Sequence, residues 1–145
     1  MNFKLLLLSI LTFFLFSCEK NNVVPNIRFE VTINLSDPKY AGKEVFNLVD
    51  VEDWWSKAWV RVGYSGVIVC KSDFYRAYEK YCPHDQQITC TVSYNEKENT
   101  VAICNCCKTE FLLLTGEVIE GASNYGLKEY KTQYDIQRNL LRIWN

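Results

Sequence analysis

Tyr81-Cys82-Pro83-His84-Asp85 and Cys104-Asn105-Cys106-Cys107-Lys108-Thr109-Glu110-Phe111 are the two stretches on which the reading of this chain turns. The first contains a C-x-H and the second a C-x-x-C. Spacings of this kind place two donors on each of two tight loops, so that four soft or borderline ligands can converge on one metal centre. Sulfur and imidazole suit zinc or iron–sulfur centres and do not suit calcium or magnesium. His84 is the only histidine in the chain, which excludes any active site that needs two.

Outward from these loops the pattern is that of short strands. Phe29, Val31, Ile33 and Leu35 alternate with Glu30, Thr32 and Asn34, a period of two that lines one sheet face with apolar groups. Ser36-Asp37-Pro38 ends that run with turn chemistry. Val45 to Val51 and Val60 to Val69 are β-rich, with Gly63 and Ser65-Gly66 as turn or bulge signals. Val92-Ser93-Tyr94 and Thr100 to Ile103 flank a polar hairpin loop, Asn95 to Asn99. Phe111 to Leu114 and Val118-Ile119 suggest another hairpin about Thr115-Gly116, and Tyr130 to Ile136 returns through Leu140 to Trp144. Many short strands at close intervals predict an all-β sandwich or small barrel. Trp54, Trp55, Trp59 and Trp144 are expected as core or subcore packing, Tyr75 and Tyr81 likewise, whereas Glu79, Asp85 and Glu110 are expected to face solvent.

Length and composition set the limits. A chain of 145 residues has room for one domain, and 48% hydrophobic with 23% charged residues is globular rather than disordered. A net charge of −1 leaves no basic excess to hold a phosphate backbone, so no nucleic-acid partner is expected. Residues 1–17 read as an export signal: Lys4 precedes the apolar run Leu5 to Phe16. As a helix that run spans about 18 Å, short of a hydrocarbon core of about 30 Å.

Ser17-Cys18, closing the apolar run, resembles the lipobox of bacterial lipoproteins. That resemblance implies cleavage before Cys18, lipid on its sulfur and new amino terminus, and a tether over 18–26 leading to a domain over 27–145. Several acyl chains anchor stably, at about 0.8 kcal/mol per buried CH₂. Glu19 after the cysteine points by the same resemblance to the outer membrane of a bacterial envelope, facing the periplasm.

The two loops resemble the cluster-binding boxes of Rieske [2Fe–2S] proteins, C-x-H followed by C-x-x-H-G-[ST]-x-F. Phe74 to Tyr78 precedes the first box as the family's strand does. Phe111 to Ala122 follows the second like its return hairpin and covering loop, and Leu127 to Tyr130 resembles its L-x-x-Y. The resemblance covers roughly Val60 to Ile143. It implies an all-β, Rieske-like fold, an antiparallel β-sandwich with a small inserted cluster-binding subdomain over about 78–125. Carried over position by position, Cys82 and Cys104 hold the inner iron and His84 and Cys107 the outer one, Cys107 standing where the family has histidine. Thr109 matches the position whose hydroxyl donates to cluster sulfur, and Cys106 the box-two cysteine that pairs with a box-one cysteine in respiratory members. The position of that partner holds Gln87, with Cys90 three residues later. Lys108 replaces the family's glycine, Gly121-Ala122-Ser123 lacks its proline, and Lys4 stands in place of the twin-arginine signal common in exported members.

The function implied is a membrane-anchored carrier of single electrons, with the lipid on Cys18 and an unidentified redox protein as partners. Replacing a neutral imidazole with the Cys107 thiolate adds negative charge, which lowers the potential, while a hydrogen bond from Thr109 raises it. Two alternatives use the same residues. One is a cluster-free module of the same fold, stapled by disulfides, serving as an envelope interaction protein. The other is a zinc site on the same four ligands. If three cysteines hold metal, Cys70, Cys90 and Cys106 remain; Cys70, in the apolar run Val67 to Cys70, reads as a buried thiol, and a Cys90–Cys106 bridge is one open pairing. No glycine-rich phosphate loop, serine elbow or HExxH is present, and the second domain of a Rieske oxygenase is missing from this chain. A standalone enzyme is therefore not expected.

Overall fold

The computed structural model describes residues 23–95 and 97–145. The expectations placed on the signal segment 1–17 and on Cys18 lie outside the described residues. By Val24, which is buried, and Asn26, whose side chain accepts from Lys128 and Asn145, the chain already packs on the domain.

All regular structure among the described residues is β. The strands are β1 (Glu30–Asn34), β2 (Val45–Leu48), β3 (Asp50–Glu52), β4 (Trp59–Arg61), β5 (Val67–Lys71) and β6 (Tyr75–Glu79). They continue with β7 (Val92–Asn95), β8 (Glu98–Cys104), β9 (Glu110–Leu112), β10 (Val118–Glu120), β11 (Glu129–Asp135) and β12 (Leu140–Trp144). Six form one sheet in the order β1-β12-β11-β6-β5-β2, four a second in the order β10-β9-β8-β7, and β3-β4 a two-stranded ribbon. Every pairing is antiparallel.

Strand β5 explains how the layers stack. Val67 and Val69 enter a core shared with Val31 and Ile33 of β1 and Leu141 and Ile143 of β12, so the large sheet curls around that core. Ile68 and Cys70, on the opposite face of the same strand, enter a second core with Val92, Ala102 and Phe111 of the small sheet and Leu113 in the turn after β9. A strand buried on both faces needs an uninterrupted apolar run, which Val67-Ile68-Val69-Cys70 supplies. Each fully buried Val, Ile or Leu contributes roughly 1.5–3 kcal/mol relative to exposure. Strands β5 and β6 are thus a common wall between the body and the small sheet.

Three of the tryptophans are not core residues. Trp54, Trp55 and Trp59 are 39%, 62% and 70% exposed. In the β3–β4 ribbon Val51 pairs with Val60, and alternation turns Trp59, opposite Glu52, away from the body. The connecting turn is organised by Asp53, whose carboxylate accepts from the backbone N–H groups of Thr32, Trp55 and Ser56. Composition alone cannot separate such a surface ribbon from a packed one.

Candidate metal centre

Both loops of interest lie at one end of the small sheet, because Val92, the first residue of β7, pairs with Cys104, the last of β8. The first loop runs from Tyr81, bridged to Thr91, and closes on itself through Cys82 N–H to Cys90 O (3.1 Å) and Gln86 N–H to Cys82 O (3.2 Å). The second is the β8–β9 turn, closed by Cys104 N–H to Thr109 O at 3.0 Å. Several ties join them. Cys90 and Cys106 form a disulfide, Asn105 Oδ1 accepts from Thr91 N–H (2.9 Å), and Asn105 Nδ2 donates to Thr89 O (3.1 Å). The bridge leaves Cys70 a buried thiol, hydrogen-bonded to Leu113 O and pushed up to about 11 by burial, hence inert.

At the mouth of the two loops the ligating atoms of Cys82, Asp85, Cys104 and Cys107 all lie within 4.8 Å of one another. The sulfurs of Cys82 and Cys107 are 3.7 Å apart, and the Cys104 thiol donates to Asp85 Oδ2 at 3.2 Å. Cys82 and Cys104 are fully buried, Cys107 half-buried and His84 exposed. Thus three of the four predicted ligands meet in one compact group, while His84 stands outside it on the solvent side of the first loop.

Asp85 corrects the expectation of a solvent-facing acid, since its carboxylate sits among the thiols. Burial opposes its ionisation, but hydrogen bonds from the thiols of Cys107, Cys104 and Cys82 and from Cys107 N–H hold it below the usual carboxylate range. Burial pushes the thiols of Cys82 and Cys104 up. Without a cation they stay protonated and sit side by side without repulsion; taking up a cation releases those protons.

Glu79 also departs from expectation. It is completely buried, and its carboxylate accepts from Tyr64 N–H (2.6 Å), Ser65 N–H (2.8 Å), Tyr81 N–H (3.0 Å) and Tyr130 O–H (2.6 Å). It pins the residue before Cys82 to the wall. Glu110 is half-buried.

Thr109, fully buried, lies behind the group. Its hydroxyl oxygen accepts from Ala122 N–H (3.1 Å) and Ser123 N–H (3.2 Å), and Cys107 Sγ is 3.2 Å away. The two backbone donors occupy both lone pairs, so once Cys107 is a thiolate the Thr109 proton is directed to that sulfur. Gly121 permits this approach: a Cβ there would meet Thr109 Oγ1 at 2.7 Å.

Lys108 takes φ 60°, the left-handed region, at the position where the resembled boxes carry glycine. A side chain there costs about 1–2 kcal/mol, partly offset here by Lys108 Nζ donating to Asn105 O at 2.7 Å. Lys108→Gly should therefore raise unfolding stability by about 0.5–1 kcal/mol in urea titrations; a loss of stability would show that the lysine contact outweighs the strain.

No protein-family model matches this chain, and a search of curated proteins finds no similar one.

Proposed function

We propose that the chain is a Rieske-type [2Fe–2S] protein carrying single electrons, held at a bacterial envelope membrane by lipid on Cys18. The observation that carries this reading is the order of burial across the donors. Cys82 and Cys104, assigned to the inner iron, are fully buried, whereas Cys107 and His84, assigned to the outer one, are half-buried and exposed. The three thiols converge and suit such a group in kind, with His84 two residues from Cys82 on the exposed side of the same loop.

When bound, such a cluster takes up and gives back one electron. The protein's own contribution is positioning. The disulfide and Asn105 hold the two loops together, Glu79 fixes the approach to Cys82, and the Thr109 hydroxyl, 3.2 Å from Cys107 Sγ, would donate to that sulfur once it is a thiolate.

The test is anaerobic reconstitution with iron and sulfide, followed by metal analysis and a visible spectrum. About two irons per chain are expected, with charge-transfer bands lost on reduction and in Cys107→Ser. The potential should fall below the two-histidine range of about −150 to +300 mV and above the all-cysteine value near −400 mV, and Cys107→His should raise it. An iron-free, colourless protein with oxidised thiols would overturn electron transfer and leave a disulfide-stapled module.

A further inference from the structure

We propose that Cys82, Cys104, Cys107 and Asp85 form a second kind of site, a closed tetrahedral one for a single divalent ion of the zinc class, with no part played by His84. It shares with the cluster reading only the premise that these thiols hold metal; because it uses the same three sulfurs it is an alternative to the cluster, differing in the number of ions and in the fourth donor.

Distances within the donor group lead to this. Donors about 2.3 Å from one tetrahedral ion stand about 3.8 Å apart. The sulfurs of Cys82 and Cys107 are 3.7 Å apart, although the cluster assignment gives them to different irons. A sulfur and a carboxylate oxygen on one such ion lie about 3.5 Å apart. Asp85 Oδ2 is 3.2 Å from Cys104 Sγ. All four donor atoms lie within 4.8 Å of one another, so a small inward shift of the side chains brings them onto one ion.

The surroundings complete such a site. Cys107 N–H lies 3.3 Å from Asp85 Oδ2 and orients the carboxylate, and Thr109 lies against Cys107 Sγ. The two loops are already locked together by the Cys90–Cys106 bridge. Three thiols and a carboxylate in this space need a cation once deprotonated. Uptake replaces three S–H bonds by three metal–sulfur bonds, sends three protons to solvent and transfers no electron.

Cobalt(II), a spectroscopic stand-in for zinc, tests the proposal on the full chain under anaerobic, metal-free conditions, with zinc competition supplying the affinity. One cobalt per chain is expected, with tetrahedral ligand-field bands and thiolate-to-metal charge transfer. Asp85→Ala and Asp85→Asn should shift those bands and weaken zinc binding at least ~10-fold, and His84→Ala should change neither. Unchanged melting of the metal-free variants establishes that they fold. Loss of binding in His84→Ala with no effect at Asp85, or octahedral cobalt without charge transfer, overturns the proposal.

Parallel reconstitution with iron and sulfide separates the two readings. Two irons per chain with no uptake of cobalt or zinc sinks the single-ion site and keeps the cluster. One tetrahedral cobalt in a chain that cannot retain iron and sulfide does the reverse.

Discussion

Glu79→Leu should give no cooperatively folded protein, as read by circular dichroism and urea titration. The carboxylate has no exposed surface and accepts four hydrogen bonds, from Tyr64, Ser65 and Tyr81 N–H and from Tyr130 O–H. Leucine fills the volume but leaves all four donors unpaired in a dry interior. At about 1–3 kcal/mol per orphaned group the loss is comparable with the whole stability of a domain, about 5–15 kcal/mol. Glu79→Gln keeps one acceptor oxygen but turns an amide donor towards other donors, so it should fold with a markedly lower urea midpoint. A leucine variant within 1 kcal/mol of wild type would show that these donors find water instead.

The second large effect is expected at the disulfide. Cys90 and Cys106 are separated by 16 positions, and closing a loop of about that length stabilises by ~3 kcal/mol in the chain-entropy picture. The double variant Cys90→Ser/Cys106→Ser avoids an unpaired thiol beside Cys107. It should lose about 2–4 kcal/mol in urea titration and release bound metal to a chelator faster than wild type. Asn105 still bonds both Thr91 N–H and Thr89 O, and Asp85 still accepts from Cys107 N–H, so the loops stay adjacent but less firmly held. Unchanged metal release would mean that the hydrogen bonds of Asn105 and Asp85 set the geometry without the bridge.

Much of the strand pattern was legible in the sequence. Alternation at Val31 and Ile33 marked β1, and the apolar run at Val67 to Cys70 marked a β-rich stretch with a buried thiol, whose coverage on both faces only the structure reveals. The loops carrying Cys82, Cys104 and Cys107 were legible from spacing, because a tight turn in the chain is a tight turn in space. The pairing of Cys90 with Cys106 was an open choice, since the spacing around Gln87 does not match the resembled pattern.

What escaped depends on partners distant in the chain. Glu79 reads as a surface acid until the N–H groups of Tyr64 and Ser65 are brought to it by the turn at Gly63, whose φ is +72°. The tryptophans of the β3–β4 ribbon carry no local mark of which side is covered. Asp85 did carry a signal: it stands three residues after Cys82, where a tight turn returns the side chain to the thiol.

The shared wall also decides how this protein can be taken apart. The floor beneath the ligand loops is partly supplied by Val45, Ile68, Cys70 and Tyr78, which lie on strands of the large sheet. The small sheet is therefore not a transferable cassette. A graft of residues 80–125 onto another scaffold would bring the ligands and leave their foundation behind, so any transplant has to begin no later than β2.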